Sequence, residues 1–375
     1  MIYFDCISAD IITSELSAPA TMDIPVPSNS APSSSNRVGI ADIARQADVS
    51  TATVDRVLNQ RPGVRPATAQ RVLRAAAELG YLPQDDLYKA LRPQAMRLSF
   101  LLPAGTNRYL NMLGEHVQIA KDQLEPFNVQ CRTRYFEGFN PQILVENLLR
   151  EGKRADGIAM MALEHPLVRE AVNTLAEKGV HIVTLISDLS SSRRAAYVGL
   201  DNRAAGRTAG LLLGRFIGPR TGKVAMIAGS RHYRGHEERE MGFHHILEEK
   251  FPGLQIMGLR EGHDDAETNY RQTRQLLEQY CDLVGIYNIG GASDGVARAL
   301  KEAGRENNVV FIGHGLTPDT RSLLVDGSLD AILNQNIHST VLNAVRIFTN
   351  LREGRDATAG VEPMQISIVL NENLP

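Results

Sequence analysis

Residues Val38 to Pro83 read VGIADIARQADVSTATVDRVLNQRPGVRPATAQRVLRAAAELGYLP. Ile40, Ile43, Ala44 and Ala47 recur at helical spacing, and so do Val54, Val57 and Leu58. Between these runs lies Asp48-Val49-Ser50. A Ser ahead of an apolar-periodic run caps a helix, because its hydroxyl accepts from an amide that the helix leaves unpaired. Two short helices joined by a turn of three or four residues form a helix-turn-helix, whose second helix fits the DNA major groove. A third run, Pro66 to Leu79, opens on a Pro whose missing N–H is no loss at a helix start, and it stops at Gly80. It supplies the lid that buries the other two. A plain three-helix bundle has no use for the polar set that the second helix exposes. Ser50, Thr51, Thr53 and Asn59 are short hydrogen-bonders, and Arg56 projects from the same side as Ala52.

Composition sets the frame for that stretch. At 375 residues the chain has room for more than one domain, and 43% hydrophobic residues suffice for packed cores. Its net charge of −3 does not suggest a partner of nucleic acid, but the charge is unevenly spread. From Arg37 to Arg97 there are ten Lys/Arg against six Asp/Glu; residues 1–36 hold four acids and no base. The basic excess falls on the DNA-binding candidate, where phosphate neutralisation needs it. Cys6, Cys131 and Cys281 are too far apart for a disulfide framework or a metal cluster, and they suit a reducing cytoplasm. No apolar run approaches membrane-spanning length, and no basic n-region of a secretory signal opens the chain. Residues 1–36, rich in Ala, Pro and Ser, read as a disordered tail.

Beyond Met96, short β-rich runs alternate with amphipathic helical runs. The strand candidates are Leu98–Leu102, Val129–Tyr135, Gly157–Met161, His181–Ile186, Val224–Ala228, Leu254–Leu259, Leu283–Tyr287 and Val309–Ile312. The helix candidates between them include Leu110–Leu124, Pro141–Leu149, Pro166–Lys178, Asn202–Phe216, Glu237–Lys250, Glu267–Tyr280 and Ser293–Ala303. Such alternation means βαβ units and parallel sheets covered on both faces. There are too many strands for one comfortable sheet, so two lobes are expected.

Ala41-Asp42-Ile43-Ala44, Val49-Ser50, Thr53-Val54, Arg56-Val57-Leu58-Asn59 and Leu79-Gly80-Tyr81-Leu82-Pro83 resemble the headpiece of the lactose-repressor (LacI/GalR) family of transcriptional regulators. The later half resembles the type I periplasmic-binding-protein fold that this family uses as its effector domain. The marks there are Arg154-Ala155-Asp156-Gly157-Ile158, Gly199-Leu200-Asp201-Asn202, Arg239-Glu240-Met241-Gly242-Phe243 and Asn334-Gln335-Asn336. The resemblance implies a small all-α headpiece over residues 37–83, a hinge over 84–97, and a two-lobed α/β domain with parallel sheets over 98–375. In that fold the chain crosses between lobes three times, here near Val198–Asp201, near Asn334–Gln335 and near the C-terminal strand. It further implies a homodimer joined through the effector domain. The C-terminus lacks the leucine heptads of a coiled-coil tetramer. Family headpieces begin close to the N-terminus, so residues 1–36 form an extension and Met22 is an alternative start.

In the family the hinge becomes a short helix on DNA, and a leucine of each protomer wedges into the minor groove. Here Leu87, Ala90 and Leu91 share an apolar face, and Pro93 ends it. An ungapped correspondence puts Ala90 at the leucine position, and a shift of one residue puts Leu91 there. Asp85 and Asp86 depart from the pattern by placing acid near phosphate, and a plain flexible linker is the other reading. The DNA-binding candidates are therefore Ser50, Thr51, Ala52, Thr53, Asp55, Arg56, Asn59 and Leu91. Asp55 stands where many relatives carry a small hydroxyl residue. It is expected to accept from a cytosine amino group, or to pair with a third-helix partner such as Arg71 in preference to Arg56.

Ligands of open α/β sheets bind outside the carboxyl ends of the strands. The loops found there offer Asn107, Tyr109, Asp188, Arg239, Asn288 and Gln335, a set of amides, carboxylate, guanidinium and aromatic ring suited to a carbohydrate-like effector. By resemblance Arg239 leads. The bland alternatives are a surface Arg in a helix first turn, a loop cap for Asp188, and a core residue for Tyr109. Gly313-His314-Gly315 lacks the acid that the family commonly carries after this strand, so His314 compensates or the ligand differs from a simple hexose. His232 and His236 hint at a metal pair without a third ligand, and Asp264-Asp265 reads as a helix cap. Neither dinucleotide-binding nor P-loop glycine patterns occur, and no nucleophile or acid/base constellation stands out. The expectation is a cytoplasmic DNA-binding regulator, a repressor of operator DNA under a small effector, with no metal, cofactor or enzymatic activity and no membrane association. A solute-binding protein of a transport system is the alternative.

Overall fold

The structure, a computed structural model, describes residues 38–59, 61–81, 95–124 and 128–375. These fall into two compact units, on either side of residues 82–94. The N-terminal tail, Leu91 and most of the expected hinge lie outside the described residues.

The first unit has three helices: α1 (Ile40–Gln46), α2 (Thr51–Leu58) and α3 (Pro66–Glu78). Asp48 takes a left-handed conformation (φ 51°) in the α1–α2 turn, a region that Asp tolerates better than most residues. Ile43, Val54, Val72 and Ala76 are fully buried where the helices meet. Gln46 Nε2 on α1 donates to Glu78 Oε2 on α3 at 2.6 Å. The α3 helix ends one residue earlier than its apolar run because Gly80 turns left-handed (φ 67°). The Tyr81 amide then reaches back to the Ala76 carbonyl at 2.8 Å.

The second unit opens with β1 (Met96–Ala104), α4 (Arg108–Leu124), β2 (Val129–Glu137), α5 (Pro141–Glu151), β3 (Gly157–Met160), α6 (Pro166–Glu177), β4 (His181–Leu185) and β5 (Ala196–Val198). Its first sheet is parallel, in the order β2-β1-β3-β4-β5. Leu98, Phe100, Leu101 and Leu102 are all fully buried, as expected of a parallel strand covered on both faces. β1 starts at Met96, inside the stretch assigned to the hinge, and Arg97 forms a salt bridge of 2.9 Å with Asp156.

Past β5 come α7 (Asn202–Ile217), β6 (Gly222–Ala228), α8 (Arg234–Lys250), β7 (Leu254–Glu261), α9 (Ala266–Gln279), β8 (Leu283–Asn288), α10 (Ser293–Glu302), β9 (Val310–His314), α11 (Pro318–Val325), β10 (Ala331–Asn334), α12 (Ile337–Arg352) and β11 (Ser367–Val369). The second sheet runs β11-β10-β9-β8-β6-β7, with only the β10–β11 pair antiparallel. The chain crosses from the first sheet to the second at 199–201. It returns at 335–336, where α12 packs into the first lobe's core through Val341, Ala344 and Phe348, and crosses again over 353–366.

Several expected boundaries move for physical reasons. β4 stops at Leu185 because Ile186 is left-handed (φ 64°), rare for a β-branched residue, with its carbonyl held by Tyr197 Oη at 2.9 Å. α8 begins at Arg234 rather than Glu237: Gly235 lies in the first turn and donates to Ser187 Oγ at 3.2 Å. The short strands β5, β10 and β11 and the helices α11 and α12 are not among the elements read from periodicity.

α7 and α8 approach closely enough for backbone contact. A Cβ on Gly206 would lie 2.0 Å from the Arg239 carbonyl oxygen, and one on Gly242 would lie 2.1 Å from that of Arg203. Gly206→Ala must therefore push the two helices apart. It should cost roughly 1–3 kcal/mol in denaturant unfolding, against the gain that Ala gives an unconstrained helix position.

Candidate functional site

Two surfaces carry the residues singled out by sequence. On the headpiece, Ser50 caps α2: its Oγ accepts from the Thr53 amide at 3.2 Å and lies 2.9 Å from Thr53 Oγ1. Thr51, Ala52, Arg56 and Asn59 are exposed on one polar side, while Val54 and Val57 face the core. Arg56 has no ion pair among the described residues. Asp55 does not pair with Arg71. Its Oδ2 accepts from Arg61 Nη1 at 3.1 Å and its Oδ1 from Asn59 Nδ2 at 2.8 Å. Sequence spacing missed Arg61 because it lies past the helix end, outside the i,i+4 rule.

The second surface is the cleft between the lobes. Asn107, Tyr109, Arg239, His314 and Gln335 all line one cavity of about 60 Å³. They are joined by two residues that were given other roles, Asp264 and His236. Asp265 alone caps α9, accepting from the Thr268 amide at 2.8 Å. Asp264, left-handed (φ 54°) and buried, accepts instead from the Gly291 amide at 2.6 Å and from Asn107 Nδ2 at 2.9 Å. Asn107 follows β1 and Asp264 follows β7, so this bond spans the lobes, as does that of Thr106 Oγ1 to the Asp264 carbonyl at 2.7 Å. A carboxylate thus reaches the cavity from the loop after β7, where the loop after β9 has none. The signal was available: two adjacent acids opened a helix that can use only one as its cap.

Arg239 is buried in the first half of α8, with Nε donating to Asn202 Oδ1 at 2.7 Å and Nη1 to the Ile289 carbonyl at 2.9 Å. Among the described residues neither Arg239 nor Asp264 forms an ion pair. The cavity therefore faces one guanidinium and one carboxylate, each held by neutral groups. Tyr109 Oη donates to the Gln335 carbonyl at 2.9 Å, and burial pushes this phenol well above its ordinary range, so it remains a neutral donor. A second cavity, about 240 Å³, also touches Asn107, Tyr109, Gly291 and His314.

Asp188 and Asn288 do not belong to this set. Asp188 accepts from Thr184 Oγ1 at 2.6 Å and is paired with Arg194 at 2.5 Å, a structural tie outside the cavity lining. Asn288 is fully buried and donates to the Gly291 carbonyl at 2.8 Å and to Ser293 Oγ at 3.0 Å, bracing the loop beneath the cavity. His232 Nδ1 lies 3.4 Å from Ser230 Oγ, and no group of three or more potential metal ligands occurs among the described residues. His236 Nδ1 lies 3.0 Å from the Ser230 carbonyl.

Burial lowers the His236 imidazole to about 4, against the pull of Asp264 and with the repulsion of Arg239 adding to it. Burial and Arg239 likewise hold His314 well below its usual value, and its Nε2 lies 2.6 Å from Tyr287 Oη. An unfolded His takes up a proton near pH 6.5, whereas folded His236 does so only near 4. Between those values the unfolded chain binds more protons, so this contribution to stability declines as pH falls through the window. His236→Gln removes it: the melting-temperature gap between variant and parent should shift in the variant's favour from pH 7 to pH 5.

Comparison with known proteins follows the same division. The model of the periplasmic binding protein domain matches residues 100–356, and that of the lacI family of bacterial regulatory proteins matches residues 39–84. An uncharacterised HTH-type transcriptional regulator of Streptomyces limosus, in the aml 5′ region, is 28% identical over 366 residues, covering 90% of this chain and 98% of its own. Catabolite control protein A of Priestia megaterium is 25% identical over 243 residues, 64% of this chain and 70% of its own. Among solved structures, a glucose-galactose binding protein from Geobacillus stearothermophilus superposes with a TM-score of 0.68 at 23% identity, over 76% of this chain and 100% of its own, a likeness of fold. With both models matched in chain order, this chain belongs to the lacI family of bacterial regulatory proteins, a helix-turn-helix headpiece followed by a periplasmic-binding-protein domain.

Proposed function

We propose that this DNA-binding transcriptional regulator acts as a repressor whose operator affinity is set by a carbohydrate-like effector held between the two lobes. The observation that carries the effector reading is the pairing of Arg239 and Asp264 on one cavity, each buried and each without an ionic partner among the described residues. A guanidinium fork donates to sugar oxygens, and a carboxylate accepts from hydroxyls. Neutral Tyr109, Asn107 and Gln335 add directional donors and acceptors, and His236 and His314, uncharged at neutral pH, add no competing charge. The glucose-galactose binding protein of like fold supports the same ligand class.

The cavity's 60 Å³ lies well below the roughly 300 Å³ at which small-molecule pockets begin. Under this proposal a sugar is admitted as the lobes part and Asn107 releases Asp264. On this reading effector binding and the Asn107–Asp264 bond exclude each other, and the ligand shifts the lobe equilibrium by its differential affinity for the two states. The chain works as a homodimer on a near-palindromic operator, in the cytoplasm, because one small headpiece makes few contacts and two-fold sites double them. Among the described residues no helix is long and apolar enough to cross a membrane. The helix-turn-helix match is what favours this reading over a solute receptor of a transporter.

On the DNA side, Ser50, Thr51, Ala52, Thr53, Arg56 and Asn59 form the reading surface, with Leu91 as the minor-groove wedge. Arg56 is the proposed guanine reader. Arg56→Ala should cost roughly 1–3 kcal/mol on a duplex selected from randomised DNA and flatten base preference there. Equal losses on selected and random duplexes would reduce Arg56 to a phosphate contact.

The effector reading is tested by thermal shift of the parent against a panel of sugars, polyols and sugar acids, since a ligand of the native state raises its melting temperature. Asp264→Asn keeps the size of the side chain and removes its charge. It should bind the selected duplex like the parent and lose the thermal response to the sugar that stabilises the parent. An Asp264→Asn chain that keeps the parent's response removes the carboxylate from the site. Arg239→Ala is the less clean variant, because it also strands Asn202 Oδ1 and the Ile289 carbonyl.

A further inference from the structure

We infer that Arg61, beyond the C-terminal end of α2, is a DNA-phosphate contact of this headpiece, and that Asp55 is the residue that positions it. The inference rests on the DNA-binding reading and extends it to a residue outside the reading surface named above.

Arg61 is held at two points. Its amide donates to the Arg56 carbonyl at 2.8 Å, which ties its backbone to the last turn of α2. Its Nη1 donates to Asp55 Oδ2 at 3.1 Å. Asn59 completes the arrangement, with Nδ2 donating to Asp55 Oδ1 at 2.8 Å and to the Asp55 carbonyl at 3.0 Å. Both carboxylate oxygens of Asp55 are thus engaged, and its charge is compensated within the headpiece. The Arg61 side chain nevertheless stays 63% exposed, and its Nε and Nη2 have no partner among the described residues. A guanidinium tethered by one nitrogen and open at the others is ready to bridge to a phosphate oxygen.

An exposed ion pair of this kind adds little to folding stability. Its physical effect is on rotamer freedom: a long side chain already fixed before binding loses less entropy when it meets its target. The position suits a backbone contact. Base edges are met by the first part of a recognition helix, so a cation at the other end faces the sugar-phosphate wall of the groove. The macrodipole at a helix C-terminus also favours a cation there. Asp55, an acid on a DNA-facing helix, then acts through Arg61 and not by touching a base.

The two simplest electrostatic arguments predict opposite signs, which makes the inference testable. If Asp55 only repels phosphate, Asp55→Ala tightens DNA binding. If it positions Arg61, the same change weakens binding although it removes a negative charge. The experiment uses the full chain and two duplexes of one length, one recovered by selection from a randomised pool and one of random sequence. Affinity is measured by fluorescence anisotropy over a salt series. Arg61→Ala should lower the magnitude of the log K against log salt slope by about 0.9 on both duplexes, the loss of one phosphate contact. Arg61→Lys should restore that slope while recovering only part of the affinity, because an ammonium does not hold the forked geometry. Asp55→Ala should weaken binding to the selected duplex several-fold, and the effect should vanish or reverse in the Arg61→Ala background. Circular dichroism and melting of each variant establish that the headpiece is folded. A parent-like salt slope in folded Arg61→Ala overturns the phosphate contact. An Asp55→Ala affinity equal to or tighter than the parent's overturns the positioning role. A parent that binds neither duplex defeats the DNA-binding reading itself, which is a separate result.

Discussion

The side-chain amide of Gln335 joins two of the three places where the chain passes between lobes. Its Oε1 accepts from the Leu200 amide at 3.3 Å in the first crossing, and its Nε2 donates to Thr340 Oγ1 at 2.9 Å on α12, which follows the second. Its own carbonyl accepts from Tyr109, at the start of α4. Gln335 is buried, so each of these bonds would be costly to leave unmade. Motion of one lobe against the other therefore has to proceed around this residue. The crossings cannot shift one at a time without stranding a buried amide. That constraint couples the crossings of the larger unit to one another.

Arg239 shows how a cavity-lining group is fixed by the same framework. Its guanidinium is fixed by Asn202, at the start of α7, and by the Ile289 carbonyl just past β8. The backbone behind it is locked by the close approach of α7 and α8 at Gly206 and Gly242. A planar fork oriented in advance loses little freedom when a hydroxyl arrives. The same residue is consequently both a structural tie and part of the cavity lining, and a truncation there disturbs both.

Much of the architecture was legible in the chain because both signals involved are local. The helix-turn-helix rests on apolar spacing, a Ser cap and a Gly stop, and all three do what the spacing implies. The βαβ alternation is likewise a matter of period. The elements that escaped reading are short, like β5 and β11, or carry a mixed pattern, like α12, whose burial is decided by a lobe far away in sequence. The cleft follows the same logic. The ends of the strands pointed to Asn107, Tyr109, Arg239, His314 and Gln335, which line one cavity, since topology alone brings those strand ends together. What topology does not fix is which way a loop side chain turns. Asp188 turns to Arg194, Asn288 turns under its own loop, and Asp264 turns inward because a left-handed backbone aims it there. The Asp55–Arg61 pair escaped for a related reason: the partner sits beyond the helix, where helical spacing says nothing.

Tyr233 has a consequence for the energetics of opening. It precedes α8 in the second lobe, yet its ring is buried in the apolar cluster of the first, edge-on to Phe139 with centroids 5.6 Å apart. His263, also from the second lobe, meets the same Phe139 ring at 5.5 Å. Withdrawing this plug exposes apolar surface at a cost on the order of a few kcal/mol. Against that stands the Tyr233 hydroxyl, buried with no partner among the described residues, which regains water on opening and returns about 1–3 kcal/mol. The second term offsets part of the first, and the balance enters the fraction of chains that are open. A ligand that enters only the open form has its apparent dissociation constant multiplied by the inverse of that fraction. For such a ligand the Tyr233 ring, although outside the cavity lining, would enter the affinity as well.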